Sequence, residues 1–318
     1  MLMNYIKTVS LFIGMFVGAG FGTGAEVMLY FGKGGYISII LSSILIGVFA
    51  YIFAKSEKYL SKHIVLNSIT NAIVFFCSMV NFIAMVSASE TITSNEFGVA
   101  GIGIIISVLI CILAVNELNC IKIFNSIIVP GIIIFMIVLA SMTGLEIEIC
   151  NIDYNFALYS TMNMVLGGHI MRREGKQYND RQLIIVCIFI ASVTFLLLSL
   201  CYGISLQAKT FIMTIYEMAR RLRLSKIAWL IIIFAIVTTQ ISSGNVIAES
   251  INKLFNKKFS LIFLILLTLD CCTSDFGLII SKLYPLIGII GIIYTISCFF
   301  IVISAKLNHK KSKKLYSN

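Results

Sequence analysis

The sequence predicts an all-α integral membrane protein of about ten transmembrane helices. Three observations predict it: a chain too apolar for water, apolar runs of spanning length from end to end, and glycine-rich polar breaks inside two of those runs. Of the 318 residues, 59% are hydrophobic and 12% charged, with a mean hydropathy of +1.01; soluble domains carry roughly 25% charged residues. A spanning helix needs about 20 mostly apolar residues, and such runs leave room only for short connectors. No soluble domain is expected.

Read between charged and turn-rich punctuation, the spans are Tyr5 to Phe31, Tyr36 to Lys55, Ile69 to Asn95, Val99 to Val115, Ile121 to Thr143, Tyr154 to Met171, Gln182 to Leu206, Lys226 to Asn252, Phe259 to Ile279 and Pro285 to Lys306. With the N-terminus inside, the inner segments collect Lys7; Lys55, Lys58 and Lys62; Lys122; Arg172, Arg173, Lys176 and Arg181; Lys253, Lys257 and Lys258; and the lysines from Lys306 onward. That holds most of the 24 basic residues, so both termini are placed in the cytoplasm of a plasma-membrane protein. The net charge of +10 reads as an orientation signal rather than as a nucleic-acid surface. One outer connector, Gln207 to Ser225, opposes the rule with Lys209, Arg220, Arg221 and Arg223. Its Phe211, Ile215, Met218 and Leu222 recur at helical spacing, which predicts an amphipathic helix over the outer face, a miscounted span being the alternative.

The first run is interrupted by Gly18, Ala19, Gly20, Phe21, Gly22, Thr23 and Gly24, with Glu26 following within a turn. Glycine weakens a helix by about 1 kcal/mol relative to alanine, so this helix is expected to break. Free backbone groups at membrane depth are tolerated only where protein buries them or a polar cavity receives them. A break there predicts a ligand or ion site; close packing of small residues is the plainer alternative. The sixth run carries Ser160, Thr161, Asn163 and Gly167-Gly168-His169, and it too is expected to be interrupted. In two sets of five spans, residues 1–150 and 151–318, the first and sixth runs correspond and the second set is inverted. Paired breaks of this kind point to a transporter binding site.

The stretch from Gly14 to Gly35, GMFVGAGFGTGAEVMLYFGKGG, resembles the first helix of YkvI-like bacterial membrane proteins. These look like a distant branch of the amino acid, polyamine and organocation (APC) transporter superfamily, with the LeuT-type fold of five plus five inverted helices. The motif covers about 20 residues, one span's length. The resemblance implies a substrate held between unwound parts of helices one and six, with Gly18, Ala19, Gly20, Gly22, Thr23, Gly24 and Glu26 in the first-helix part. It also implies that hydroxyls on helix eight hold a coupling ion against the carbonyls of the broken first helix: Ser242 and Ser243, with Thr239 one turn before, facing Gly18 and Ala19; hydrogen bonding between helices, with back-bonding to the preceding turn, is the plainer alternative. Oxygen ligands of this type suit a hard cation.

Ionisable residues inside a membrane are costly and are functional hypotheses by default. Glu26 is read as holding a substrate amine or a proton, against the plainer role of capping the helix that follows it. Asn81, Asn163, Gly167 and Gly168 join the expected substrate site. Glu90 either faces Glu26 across a vestibule or is hydrated near the interface. Glu249 either pairs with Lys7 as an inner gate or has a hydrated surface role. The nine cysteines lie mostly in apolar runs, as Cys77, Cys111, Cys187 and Cys201 do, without a CxxC pair or Cys/His cluster; no transition metal and no cofactor beyond Na+ or H+ as coupling ion is expected. Neither a serine-histidine dyad nor HExxH occurs, so an enzyme is not expected. The function read from the sequence is a secondary transporter of a small solute, an amino acid or amine. The alternative is a transporter-shaped receptor that binds its solute without moving it. Oligomeric state stays open.

Overall fold

The computed structural model describes residues 2–60, 63–115, 118–146, 148, 152–208, 213–271 and 274–315, with the backbone alone at 2, 19, 118–120 and 305–315. Lys62, Lys209 and Phe211 lie outside the described residues, as do the side chains of Ala19 and of the lysines from Lys306 onward.

The first run folds as three pieces: α1 (Leu2–Phe16), α2 (Ala19–Thr23) and α3 (Ala25–Phe31). There follow α4 (Gly35–Leu60), α5 (Ile64–Phe97), α6 (Ile102–Ala114), α7 (Leu118–Thr143), α8 (Asn155–Glu174), α9 (Asp180–Ser205), α10 (Thr214–Arg221), α11 (Ser225–Asn252), α12 (Lys257–Asp270), α13 (Phe276–Leu278), a π-turn at Ile279–Leu283, and α14 (Tyr284–Leu315). Among the described residues, six stretches are long and apolar enough to cross a membrane: Gly35–Leu60, Ile64–Phe97, Ile121–Thr143, Asp180–Ser205, Ser225–Asn252 and Phe276–Ser304. Ile40, Ile44, Ile105, Leu109 and Ile134 are exposed on the outside of the bundle. Large apolar side chains exposed on several helices suit acyl chains rather than water. The chain is a multi-pass helical membrane protein.

α11 is the central post. Its most apolar stretch is 72% buried, against 39–50% for the other long helices, and it packs on α5, α6, α7, α1 and α2. α8 forms the second post, packed on α4 and α14. The amphipathic helix expected in the outer connector is α10. Ile215, Met218 and Ala219 face inward while Arg220 and Arg221 are exposed, and Tyr216 is hydrogen-bonded to Glu96 of α5.

Two boundaries differ from the sequence reading. The expected span Phe259 to Ile279 ends at Asp270, and residues from Phe276 onward belong to the last helix. The reason is Asp275, whose carboxylate accepts from the N–H groups of Gly277 (2.8 Å) and Leu278 (3.2 Å) and so starts a new helix there. Pro285 then lacks an N–H and crowds the carbonyl one turn back, and the chain widens into the π-turn just before it.

The interruption expected in the sixth run does not occur, since residues 155–174 form one unbroken helix. Gly167 and Gly168 keep their helical bonding and serve close packing. A Cβ on Gly167 would meet Phe12 Cε2 at 2.6 Å, and one on Gly168 would meet Phe53 Cδ1 at 2.5 Å. Gly168→Val is expected to push α8 off α4, costing about 1–3 kcal/mol as other over-packed cores do. A lowered midpoint of thermal unfolding in detergent checks this.

Candidate functional site

The break in the first run begins where α1 loses its ladder. The Gly18 N–H, which would bond the Gly14 carbonyl in a continuous helix, turns to Phe16 O at 3.0 Å. The chain resumes as the short α2 and reverses through Gly24 at φ +85°, a left-handed conformation suited to glycine. A side chain at Gly24 would also strike Thr214 Oγ1. Thr214 itself donates to Thr23 O at 3.1 Å and bonds Ser205 Oγ at 2.6 Å, so α10 is fastened to the broken segment.

The carbonyls released by the break find a partner on α11. Thr239 Oγ1 lies 2.9 Å from Gly14 O and 3.2 Å from Val17 O. Ser243 Oγ donates to Thr239 O and accepts from Asn81 Nδ2 at 2.9 Å. Asn81 Oδ1 in turn accepts from Tyr284 OH at 3.1 Å. A continuous polar chain therefore runs from the break through α11 and α5 to the start of α14.

Beside it lies a cavity of about 30 Å³ lined by Met15, Phe16, Gly18, Glu26, Asn81, Met162, Asn163, Leu166, Tyr284 and Ile287. That is room for about one water; a solute enters only if the flexible Met15, Met162 or Leu166 swings aside. Glu26 is 4% exposed, and no hydrogen bond or ion pair reaches its carboxylate among the described residues. It lies flat against Gly20, where a Cβ would fall 2.2 Å from Oε1. An unpaired carboxylate inside a bundle is among the most expensive groups to bury, and here it faces the cavity.

Of the residues singled out in the sequence, Gly18, Glu26, Asn81 and Asn163 line this cavity, with Asn163 Nδ2 tied to Tyr159 O at 3.0 Å. Gly22 packs against Ile232 and Ala235 of α11, and Thr23 bonds Gly20 O at 3.3 Å. Ser242 parts from Thr239 and Ser243. It donates to Thr238 O at 2.8 Å and lines a separate cavity with His169, Arg173 and Glu249.

Two gating expectations need correction. Glu90 does not face Glu26; its carboxylate accepts from the N–H groups of Gly101 (2.7 Å) and Ile104 (3.2 Å) and caps α6. Glu249 pairs with Arg173 on α8 rather than with Lys7, because α8 runs straight through its glycines and carries its basic end to α11. Lys7 is half-buried on α1.

Sequence reasoning missed Tyr284, which the π-turn swings onto Asn81, and Arg172. Read as a loop residue, Arg172 is 4% exposed. It donates to Glu57 (2.8 Å), Asn67 (2.9 Å), Tyr294 (3.0 Å) and Thr70 (3.4 Å), joining α8 to α4, α5 and α14. One signal was available: carried one residue past Met171, the sixth helix places Arg172 on its inward face.

In comparison with solved proteins, the fold of this chain is like that of a membrane transporter. No family model matches it, and no curated protein matches it in sequence. In structure, 30 chains of solved proteins match. One is Mhp1, a nucleobase-cation-symport-1 family transporter, in a closed conformation with bromovinylhydantoin bound. It is 9% identical, with 87% of this chain and 74% of that chain covered and a TM-score of 0.56. At that identity the likeness is one of fold.

Proposed function

We propose that the protein is a secondary transporter that works by alternating access on a small, amine-bearing solute, driven by a cation or proton gradient. The observation that carries this is Glu26, a buried carboxylate without a partner among the described residues, facing a small cavity at the break of the first helix. A cationic group on the solute offsets the cost of burying that charge, whereas a neutral solute leaves it unpaid. The likeness in fold to a cation symporter solved with a small organic molecule bound supports a carrier over an enzyme.

In this reading the chain has ten spans in two inverted sets of five, residues 1–150 and 151–318, in the LeuT-type arrangement, as a distant, YkvI-like member of the APC superfamily. It sits in the plasma membrane with both termini cytoplasmic. Gly18, Glu26, Asn81 and Asn163 hold the solute; Thr239 and Ser243 hold the ion against the carbonyls of the broken helix. Screening the purified protein for thermal stabilisation by amino acids, amines and hydantoins tests the site. A stabilising hit confined to compounds that carry a cationic nitrogen is expected. Stabilisation by neutral compounds alone overturns the assignment of Glu26.

A further inference from the structure

A cavity of about 500 Å³ opens between α3, the last piece of the broken first helix, and the π-turn before α14. The two elements pack on each other, and Ala25, Met28, Leu29, Lys33, Ile280 and Ser281 are among the residues that line the space. Its volume lies in the range of sites that take organic molecules, roughly 300–1,000 Å³. Wall and mouth differ in chemistry. Met28, Leu29 and Ile280 make the wall apolar; Leu29 is 40% exposed, and Leu278 and Leu286, before and after the turn, are each 52% exposed. Lys33, in the turn after α3, and Ser281 are exposed at the mouth. Lys33 has no hydrogen-bond or ion-pair partner among the described residues. Two carboxylates near by are engaged elsewhere. Asp275 accepts from the N–H groups of Gly277 and Leu278, and Asp153, packed against Gly34, accepts from the backbone N–H and side-chain amide of Asn155 at 3.2 and 2.9 Å. Lys282, the residue after Ser281, is a second exposed cation at this end.

We propose that this cavity binds an anionic phospholipid, one acyl chain lying on Met28, Leu29 and Ile280 and the phosphate taken by the Lys33 ammonium and the Ser281 hydroxyl. Leucines exposed beside an apolar wall suit an acyl chain, and a lysine lays its stem on apolar surface while holding its ammonium at the interface. A zwitterionic lipid covers the wall equally well but brings a cation of its own to Lys33, so headgroup charge decides the affinity. A soluble anion meets the ammonium but leaves the wall uncovered. The bound chain packs on the arm that carries Glu26, whose neighbour Ala25 is part of the wall. Binding needs no charge at Glu26, so the lipid site and the solute site are tested separately.

The test is thermal unfolding of the purified full-length protein in detergent micelles, with increasing mole fractions of phosphatidylglycerol or of phosphatidylcholine bearing the same acyl chains. A saturable rise in midpoint with phosphatidylglycerol is expected, and about 5-fold more phosphatidylcholine should be needed for the same rise. Lys33→Gln is expected to bring the phosphatidylglycerol curve onto the phosphatidylcholine curve, while Lys33→Arg keeps the two apart. Lys226→Gln, which removes an exposed lysine of α11 that does not line the cavity, is expected to leave both curves unchanged. Ser281→Phe, which places a ring in the cavity with Lys33 still present, should abolish the response; should it fail to fold, Ser281→Leu reads the same quantity. Equal curves for the two lipids, or a Lys226→Gln protein weakened as much as Lys33→Gln, overturns the proposal in favour of general attraction to the micelle. A rise with inorganic phosphate alone that matches the rise with phosphatidylglycerol overturns it in favour of a soluble anion.

Discussion

Glu26→Gln is expected to abolish recognition of the cationic solute while leaving the fold intact. The substitution keeps the shape and removes the charge. In the unliganded protein nothing among the described residues depends on that charge, since no hydrogen bond or ion pair engages it. Stability is therefore expected to hold or to rise, as it does when a buried unpaired charge is removed. In the complex the loss is large: removing one partner of a buried charge pair costs about 2–5 kcal/mol, at about 1.4 kcal/mol per tenfold. Solute affinity should fall on the order of 30-fold or more. Binding measured by thermal shift or by labelled solute checks it, with the unliganded midpoint as the control for folding.

Arg172→Met is expected to have the opposite profile, with a large loss of stability before any effect on the site. The guanidinium satisfies Glu57, Asn67, Thr70 and Tyr294 at once, and it is the point where α8, α4, α5 and α14 meet. Breaking a buried ion pair by removing one partner costs about 3–5 kcal/mol. The lower end is expected here, because Glu57 keeps Lys176 at 3.1 Å. The double variant Glu57→Gln, Arg172→Met should recover part of the loss, since the stranded carboxylate is then neutral. A coupling energy from the four proteins, by chemical or thermal unfolding in detergent, separates the pair from the packing of the side chain.

Much of the site was legible because it is encoded locally. Four glycines between Gly18 and Gly24 break a helix wherever they stand, and Glu26 within a turn of them follows the break into the interior. Asn81 and Asn163 were visible as polar residues in apolar helices. What sequence could not settle was partner choice over long range. Gly167 and Gly168 have the same composition as a break, yet they are helical because Phe12 and Phe53, each over a hundred positions away, fill the space that a side chain would occupy. Glu90 and Glu249 stood out in the sequence as carboxylates, but which N–H or guanidinium each meets depends on helix registers that no single run encodes. Asn125 reads as one more polar residue in an apolar run, and only the packing reveals that its buried amide has no hydrogen-bond partner among the described residues. Tyr284 enters the site through a π-turn, a local widening with Pro285 as its sole signal.

The most direct test of the transporter reading is uptake into proteoliposomes, using an amine that stabilises the purified protein, with sodium and proton gradients imposed separately and in opposition. The account predicts saturable accumulation above equilibrium, driven by one of the two gradients, collapsed by an ionophore for that ion and lost in Glu26→Gln. Saturable binding of the same amine with no gradient-driven accumulation under either ion would contradict it and make the protein a receptor built on a transporter fold.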